Sequence, residues 1–211
     1  PEQVVADVLL SAFGSSGQRC SALRVLCLQE EIADPILAML KGAMDELCIG
    51  NPAYLPTDMG PLIDKQACEH INTHIAALRA CHPVYQVTLP EIAEHGSFVP
   101  PTLIELNHLG ELRQEIFGPV LHVIRYQNSD DGYAALAEAI YQTGYALTMG
   151  IHTRIDQLVL RALGDTQGGR YAGNLYINRS MIGAVVGVQP FGGKRLSGTG
   201  PKAGGPLLLS S

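Results

Sequence analysis

Apolar side chains recur at helical spacing from Val4 to Phe13, and the pattern stops at a Gly-Ser-Ser-Gly turn just before Cys20. The short apolar run Leu23 to Leu28 has strand character. Behind it, Glu30 to Leu47 repeats apolar positions every three to four residues after acidic starters that suit a helix N-terminus. Asn51 to Pro61 is rich in Pro, Gly and Asp and reads as a loop, after which Asp64 is placed to cap a helix running to about Ala80. Strands are expected at Val84 to Thr88, at Thr102 to Leu106 and, after Pro119, at Val120 to Tyr126. A helix over Asp130 to Gln142 follows, and Tyr145 to His152, Ile155 to Leu163 and Asn174 to Asn178 repeat the order strand, helix, strand. This alternation predicts an α/β fold, a mostly parallel sheet flanked by helices, as one domain over residues 1–211. Open sheets of this kind bind ligands beyond the carboxyl ends of their strands, so the glycine-rich loop after Asn178 is the first place to look.

Composition narrows the picture. A chain of 211 residues with 46% hydrophobic residues can bury a full core. A formal charge of -6, with 14 Lys and Arg that nowhere cluster, argues against a nucleic-acid partner. No apolar run approaches the ~20 residues that cross a bilayer, and acids stand near the N-terminus where a signal peptide has bases, so a cytoplasmic location is expected. Cys20, Cys27, Cys48, Cys68 and Cys81 form an odd set with no C-x-x-C pair. That pattern fits neither a disulfide framework nor a zinc site, so the reading is five reduced thiols and no metal.

One cysteine stands apart. In Phe13-Gly-Ser-Ser-Gly-Gln-Arg-Cys20 a thiol follows a glycine turn that lets backbone approach a substrate, and a neighbouring cation favours thiolate. Taken alone, such a cysteine is more often a small core residue. The segment, however, resembles the Phe-x-x-x-Gly-Gln-x-Cys active-site pattern of the aldehyde dehydrogenase family at every fixed position. Glu115-Ile-Phe-Gly-Pro-Val120 is similar to that family's Glu-x-Phe-Gly-Pro motif. Pro190-Phe-Gly-Gly193 and Ser197-Gly198 are similar to its closing motifs, in the same order. The resemblance implies Cys20 as nucleophile on an aldehyde, through a thiohemiacetal and a thioester. It further implies NAD as cofactor, with Glu115 on the nicotinamide-ribose hydroxyls and Phe117 beside it.

The loop Arg179 to Gly193 and the tail Ser197 to Pro206 resemble the pyrroline-5-carboxylate (glutamate-semialdehyde) dehydrogenase branch, particularly the bifunctional proline utilisation A enzymes. That branch implies Ser21, Gly183 and Ala184 on the amino-acid end of glutamate semialdehyde, since N–H groups exposed at a glycine can bind a carboxylate. Phe13 and Phe191 would line the aldehyde stem, and for each an ordinary core role is equally open. The resemblance implies that NAD is bound mainly on a separate domain preceding the cysteine, with the general-base glutamate and the oxyanion asparagine also upstream; no strand, glycine fingerprint and acid combination for NAD occurs here. If the resemblance to the bifunctional enzymes holds, it implies an FAD-dependent proline dehydrogenase domain further upstream; a homo-oligomer at full length and an isolated chain without turnover are also expected. Competing readings are another semialdehyde as substrate and a non-catalytic domain of the same fold.

Weaker patterns are set aside. Gly198 to Gly204 has the wrong spacing for a dinucleotide loop, and Gly192-Gly-Lys194 lacks the rest of a phosphate loop. His70 and His74, four apart on a predicted helix without a third ligand, are expected at the surface. Asn178-Arg-Ser180 is a sequon without relevance in a cytoplasmic protein.

Overall fold

Helix α1 (Glu2–Phe13) ends at Gly14 where its apolar spacing ends, and strand β1 (Val25–Gln29) runs directly into helix α2 (Glu30–Asp45) with Glu30 and Glu31 in its first turn. The computed structural model describes residues 1–166 and 172–210, which fall in two units, Pro1–Asn128 and Ser129–Ser211.

In the first unit, helix α3 (Lys65–Arg79) begins at the expected cap, the Asp64 carboxylate accepting from the Ala67 N–H at 2.7 Å. Strands β2 (Val84–Gln86), β3 (Thr102–Leu106) and β4 (Val120–Tyr126) join β1 in one sheet of order β1-β4-β3-β2. β4 is parallel to both β1 and β3, and only the edge strand β2 is antiparallel. Alternation along β4 gives the sheet two faces. Leu121 and Val123 point into a core with Phe13, Leu40, Met44 and Leu103 from α1, α2 and β3, each fully buried aliphatic contributing about 1.5–3 kcal/mol. His122 points to the other face, where α3 brings His74.

In the second unit, helix α4 (Asp130–Gln142) is capped by Ser129, whose hydroxyl accepts from the Gly132 N–H at 3.0 Å. The single strand expected over Tyr145 to His152 is two: β5 (Tyr145–Ala146) and β6 (Thr148–Ile151). The break arises because each half has its own partner. β5 pairs antiparallel with β8 (Lys194–Arg195), and β6 pairs parallel with β7 (Asn174–Ile177), beyond helix α5 (Asp156–Thr166). Parallel strands flanked by helices are therefore the rule, as the alternation predicted. No helix among the described residues is long and apolar enough to cross a membrane.

Candidate active site around Cys20

Because β1 and β4 are parallel neighbours, with Val25 opposite His122, the segments leading into them run side by side. Topology alone thus brings the cysteine motif against the Glu-x-Phe-Gly-Pro motif. Both lie at the amino ends of the strands, not at the carboxyl ends where the sequence pattern directed attention. The contact is backbone on backbone: Gly17 has φ +66°, and a Cβ there would overlap the Gly118 carbonyl oxygen, so glycine is required on two counts. Ser15 and Ser16, also left-handed at φ 56°, are strained non-glycine positions. They are held by Arg19 Nε donating to Ser15 Oγ at 2.9 Å and by Ser16 Oγ donating to the Gly60 carbonyl at 2.7 Å. The Gln18 amide accepts from the Ile63 N–H at 2.9 Å and donates to the Pro61 carbonyl at 3.4 Å.

Cys20 sits, exposed, in the turn closed by the Ala22 N–H on the Arg19 carbonyl at 3.1 Å. Its neighbour Ser21 is buried, and Phe13 is a core residue at 1% exposed. The sequence pointed to Arg19 as the cation beside the thiol, but that side chain is turned to Ser15. Arg24 is the cation that reaches the backbone of the turn. Its Nη1 donates to the Gly17 carbonyl at 2.6 Å, Nη2 to the Arg19 carbonyl at 3.0 Å and Nε to Glu115 Oε1 at 3.0 Å. Its guanidinium carbon lies 4.6 Å from the Phe117 ring centroid, a cation–π geometry. Burial lowers the Arg24 pKa, while the Glu115 hydrogen bond and charge, and then the charge of Cys20, act in the opposite sense. One side chain therefore ties the cysteine turn to the Glu-x-Phe motif. Glu115 and Phe117 face outward, 37% and 45% exposed, on either side of the buried Ile116.

Behind Arg24 lies a histidine pair that the sequence reading missed. His122 is fully buried. Its backbone N–H and its Nδ1 both reach the Arg24 carbonyl, at 3.0 and 3.2 Å, and its Nε2 is 2.9 Å from Nε2 of His74. A carbonyl only accepts, so Nδ1 carries the proton and Nε2 accepts from His74. Burial, then His74, pushes the His122 pKa down to about 4, and burial and His70 lower that of His74. His74 is thus half-buried and paired rather than at the surface, whereas His70 is exposed, 3.4 Å from Gln114. Among the other thiols, burial pushes Cys27 up to about 12 and raises Cys68, with Asp64 and Glu69 adding to it, while Cys48 and Cys81 are exposed. Among the described residues no cluster of His, Cys, Asp or Glu could hold a metal ion.

In the second unit, Gly183 and Ala184 lie in the irregular loop after β7. Arg179 Nη2 donates to the Gly183 carbonyl at 3.1 Å, and a Cβ on Gly183 would come within 2.6 Å of that same nitrogen. Among the described residues neither the Gly183 nor the Ala184 N–H finds an acceptor in the chain. Phe191 is half-buried and pairs with Ala203 through both backbone N–H groups, at 3.0 and 2.8 Å. The glycines of the closing motifs serve packing. A Cβ on Gly173 would overlap the Gly192 carbonyl oxygen, and one on Gly198 would press on Gly193. Asn174 grips the motif, donating to the Pro190 carbonyl at 2.9 Å and accepting from the Gly192 N–H at 3.2 Å. The Asn178 side chain spans to the backbone of Thr153.

Known proteins resemble this chain in sequence and fold. The sequence matches the family model "Aldehyde dehydrogenase family" over residues 1–210. It is 58% identical to the bifunctional protein PutA of Klebsiella aerogenes, over 99% of this chain and 16% of that protein. A crystal structure of Bradyrhizobium japonicum proline utilization A superposes with TM-score 0.92 at 48% identity, covering 100% of this chain and 21% of that one. The 1-pyrroline-5-carboxylate dehydrogenase from Thermus, solved with bound NAD, gives TM-score 0.83 at 32% identity, covering 97% and 38%. The chain thus spans a minor part of the length of each of these relatives. It belongs to the aldehyde dehydrogenase family.

Proposed function

We propose that this chain is the cysteine-bearing part of an NAD-dependent dehydrogenase of proline catabolism, oxidising L-glutamate γ-semialdehyde, formed from pyrroline-5-carboxylate, to L-glutamate. The observation that carries the reading is the Arg24 clamp, one guanidinium holding both the turn of an exposed Cys20 and the carboxylate of Glu115. Cys20 is the nucleophile: its thiolate adds to the aldehyde carbon, and the oxygen takes up a proton. After oxidation, water cleaves the thioester, releasing the carboxylate and returning the thiol. NAD, when bound, accepts the hydride from the carbon that Cys20 holds. The residues present suit it. Glu115 engages Arg24 through Oε1 and stays 37% exposed, leaving its other oxygen for ribose hydroxyls, and Phe117 offers an open ring beside it.

The substrate's amino-acid end is assigned to Ser21, Gly183 and Ala184. The two loop N–H groups without acceptors support the assignment for Gly183 and Ala184. Phe191 is assigned to the aldehyde stem, and Phe13, which the same pattern assigns there, packs in the core. The reading includes an NAD-binding domain elsewhere in the polypeptide, an FAD-dependent proline dehydrogenase domain as in a bifunctional enzyme, and a homo-oligomer. The test is NADH formation by the complete polypeptide from glutamate semialdehyde, succinic semialdehyde and propanal. The first should be favoured in kcat/KM by roughly tenfold or more. Equal use of the others discards the substrate, and no turnover of any aldehyde discards the chemistry.

A further inference from the structure

The proposed chemistry uses neither His122 nor His74, yet a fully buried imidazole with both nitrogens engaged sits on the carbonyl of Arg24, the residue that holds the cysteine turn. The Arg24 carbonyl accepts twice from His122, from its backbone N–H and from Nδ1, while the guanidinium of the same residue holds Gly17, Arg19 and Glu115. The backbone bond belongs to the sheet, and the side-chain bond adds a second anchor that only this tautomer supplies. We propose that His122 is a positioning residue for Cys20, acting through Arg24 and kept in its tautomer by His74. The assignment rests on the reading of Cys20 as nucleophile. The titratable and charged groups around His122 are His74 of α3, with His70 behind it, and Arg24 before β1. Cys27 shares its sheet face next to Ile124, and Ile104 flanks it on β3.

The test is the rate at which each cysteine of the full chain reacts with dipyridyl disulfide, resolved by mass spectrometry. With His122→Leu, Cys20 slows roughly fivefold, the worth of one hydrogen bond. Cys48 and Cys81 stay unchanged as exposed standards, and Cys27 stays protected. His122→Asn, whose amide N–H replaces Nδ1–H, restores the rate. An unchanged Cys20 in a folded His122→Leu chain overturns the proposal. If that substitution opens Cys27 and so unfolds the unit, His74→Leu decides. Removing His74 takes away the donor that keeps the His122 proton on Nδ1, so Cys20 slows in a folded His74→Leu chain as well; an unchanged Cys20 there overturns the proposal. In the unsubstituted chain, a Cys20 no faster than Cys48 and Cys81 would sink the nucleophile reading instead, so the two failures are distinct.

Discussion

Glycine is used differently in the two units, and the difference separates a loop that carries an exposed thiol from motifs that pack main chain on main chain. In the first, Gly17 takes a left-handed φ and touches the Gly118 carbonyl, so that an exposed thiol is carried on a strained loop clamped from several sides. In the second, Gly173, Gly193 and Gly198 let backbone lie on backbone around Asn174, and their motifs present packing rather than an exposed reactive side chain. A glycine-rich motif therefore marks close approach of main chains. What the approach serves is read from the side chains it leaves open.

Substitution sharpens the contrast. Gly17→Ala combines overlap with a disfavoured φ and is expected to cost about 4 kcal/mol, whereas Gly173→Ala, which meets overlap alone, costs about 3 kcal/mol. Denaturant unfolding measures both, and a cost below about 1 kcal/mol for either would remove the close-approach argument. Acid should act on the first unit through His122. Above the ordinary histidine value both folded and unfolded forms are neutral. Between 6.5 and about 4 only the unfolded chain protonates, so stability falls as pH falls through that window. The loss reaches up to about 3 kcal/mol, and His122→Asn should flatten it.

Smaller effects follow. Arg24→Met leaves the Gly17 and Arg19 carbonyls without their donor and should cost about 2 kcal/mol, measured by thermal unfolding. In a double-mutant cycle with Glu115→Gln the coupling should be only about 0.5–1 kcal/mol, because that carboxylate is 37% exposed and screened by water. At the far end stands Tyr176→Phe in the second unit. Among the described residues the buried Tyr176 hydroxyl has no hydrogen-bond partner, so its removal should be neutral or stabilising by up to about 1 kcal/mol. A loss larger than that would show a partner for it.

Local pattern made much of this legible. The 3.6 periodicity of α1 to α3, the Asp64 cap and the strands β3 and β4 all lie within a few residues of their expected bounds. The motifs around Cys20 and Glu115 were visible, and their meeting follows from the parallel pairing of β1 with β4. What stayed hidden depends on contacts distant in sequence. Arg24 reads as a polar start to an apolar strand until the fold turns it onto Gly17 and Glu115. His74 reads as a surface histidine until β4 presents His122, 48 residues away. The Tyr145 to His152 run has one pattern but two partners, which no local signal reveals.

The central claim is that the clamp makes Cys20 the reactive thiol of this chain. Residue-resolved alkylation by iodoacetamide at neutral pH compares it with Cys48 and Cys81, which are also exposed but, among the described residues, have no arginine hydrogen-bonded into their turns. The account predicts that Cys20 reacts at least about tenfold faster and loses that lead in Arg24→Met. Equal rates at the three cysteines, or a lead that survives Arg24→Met, would contradict it.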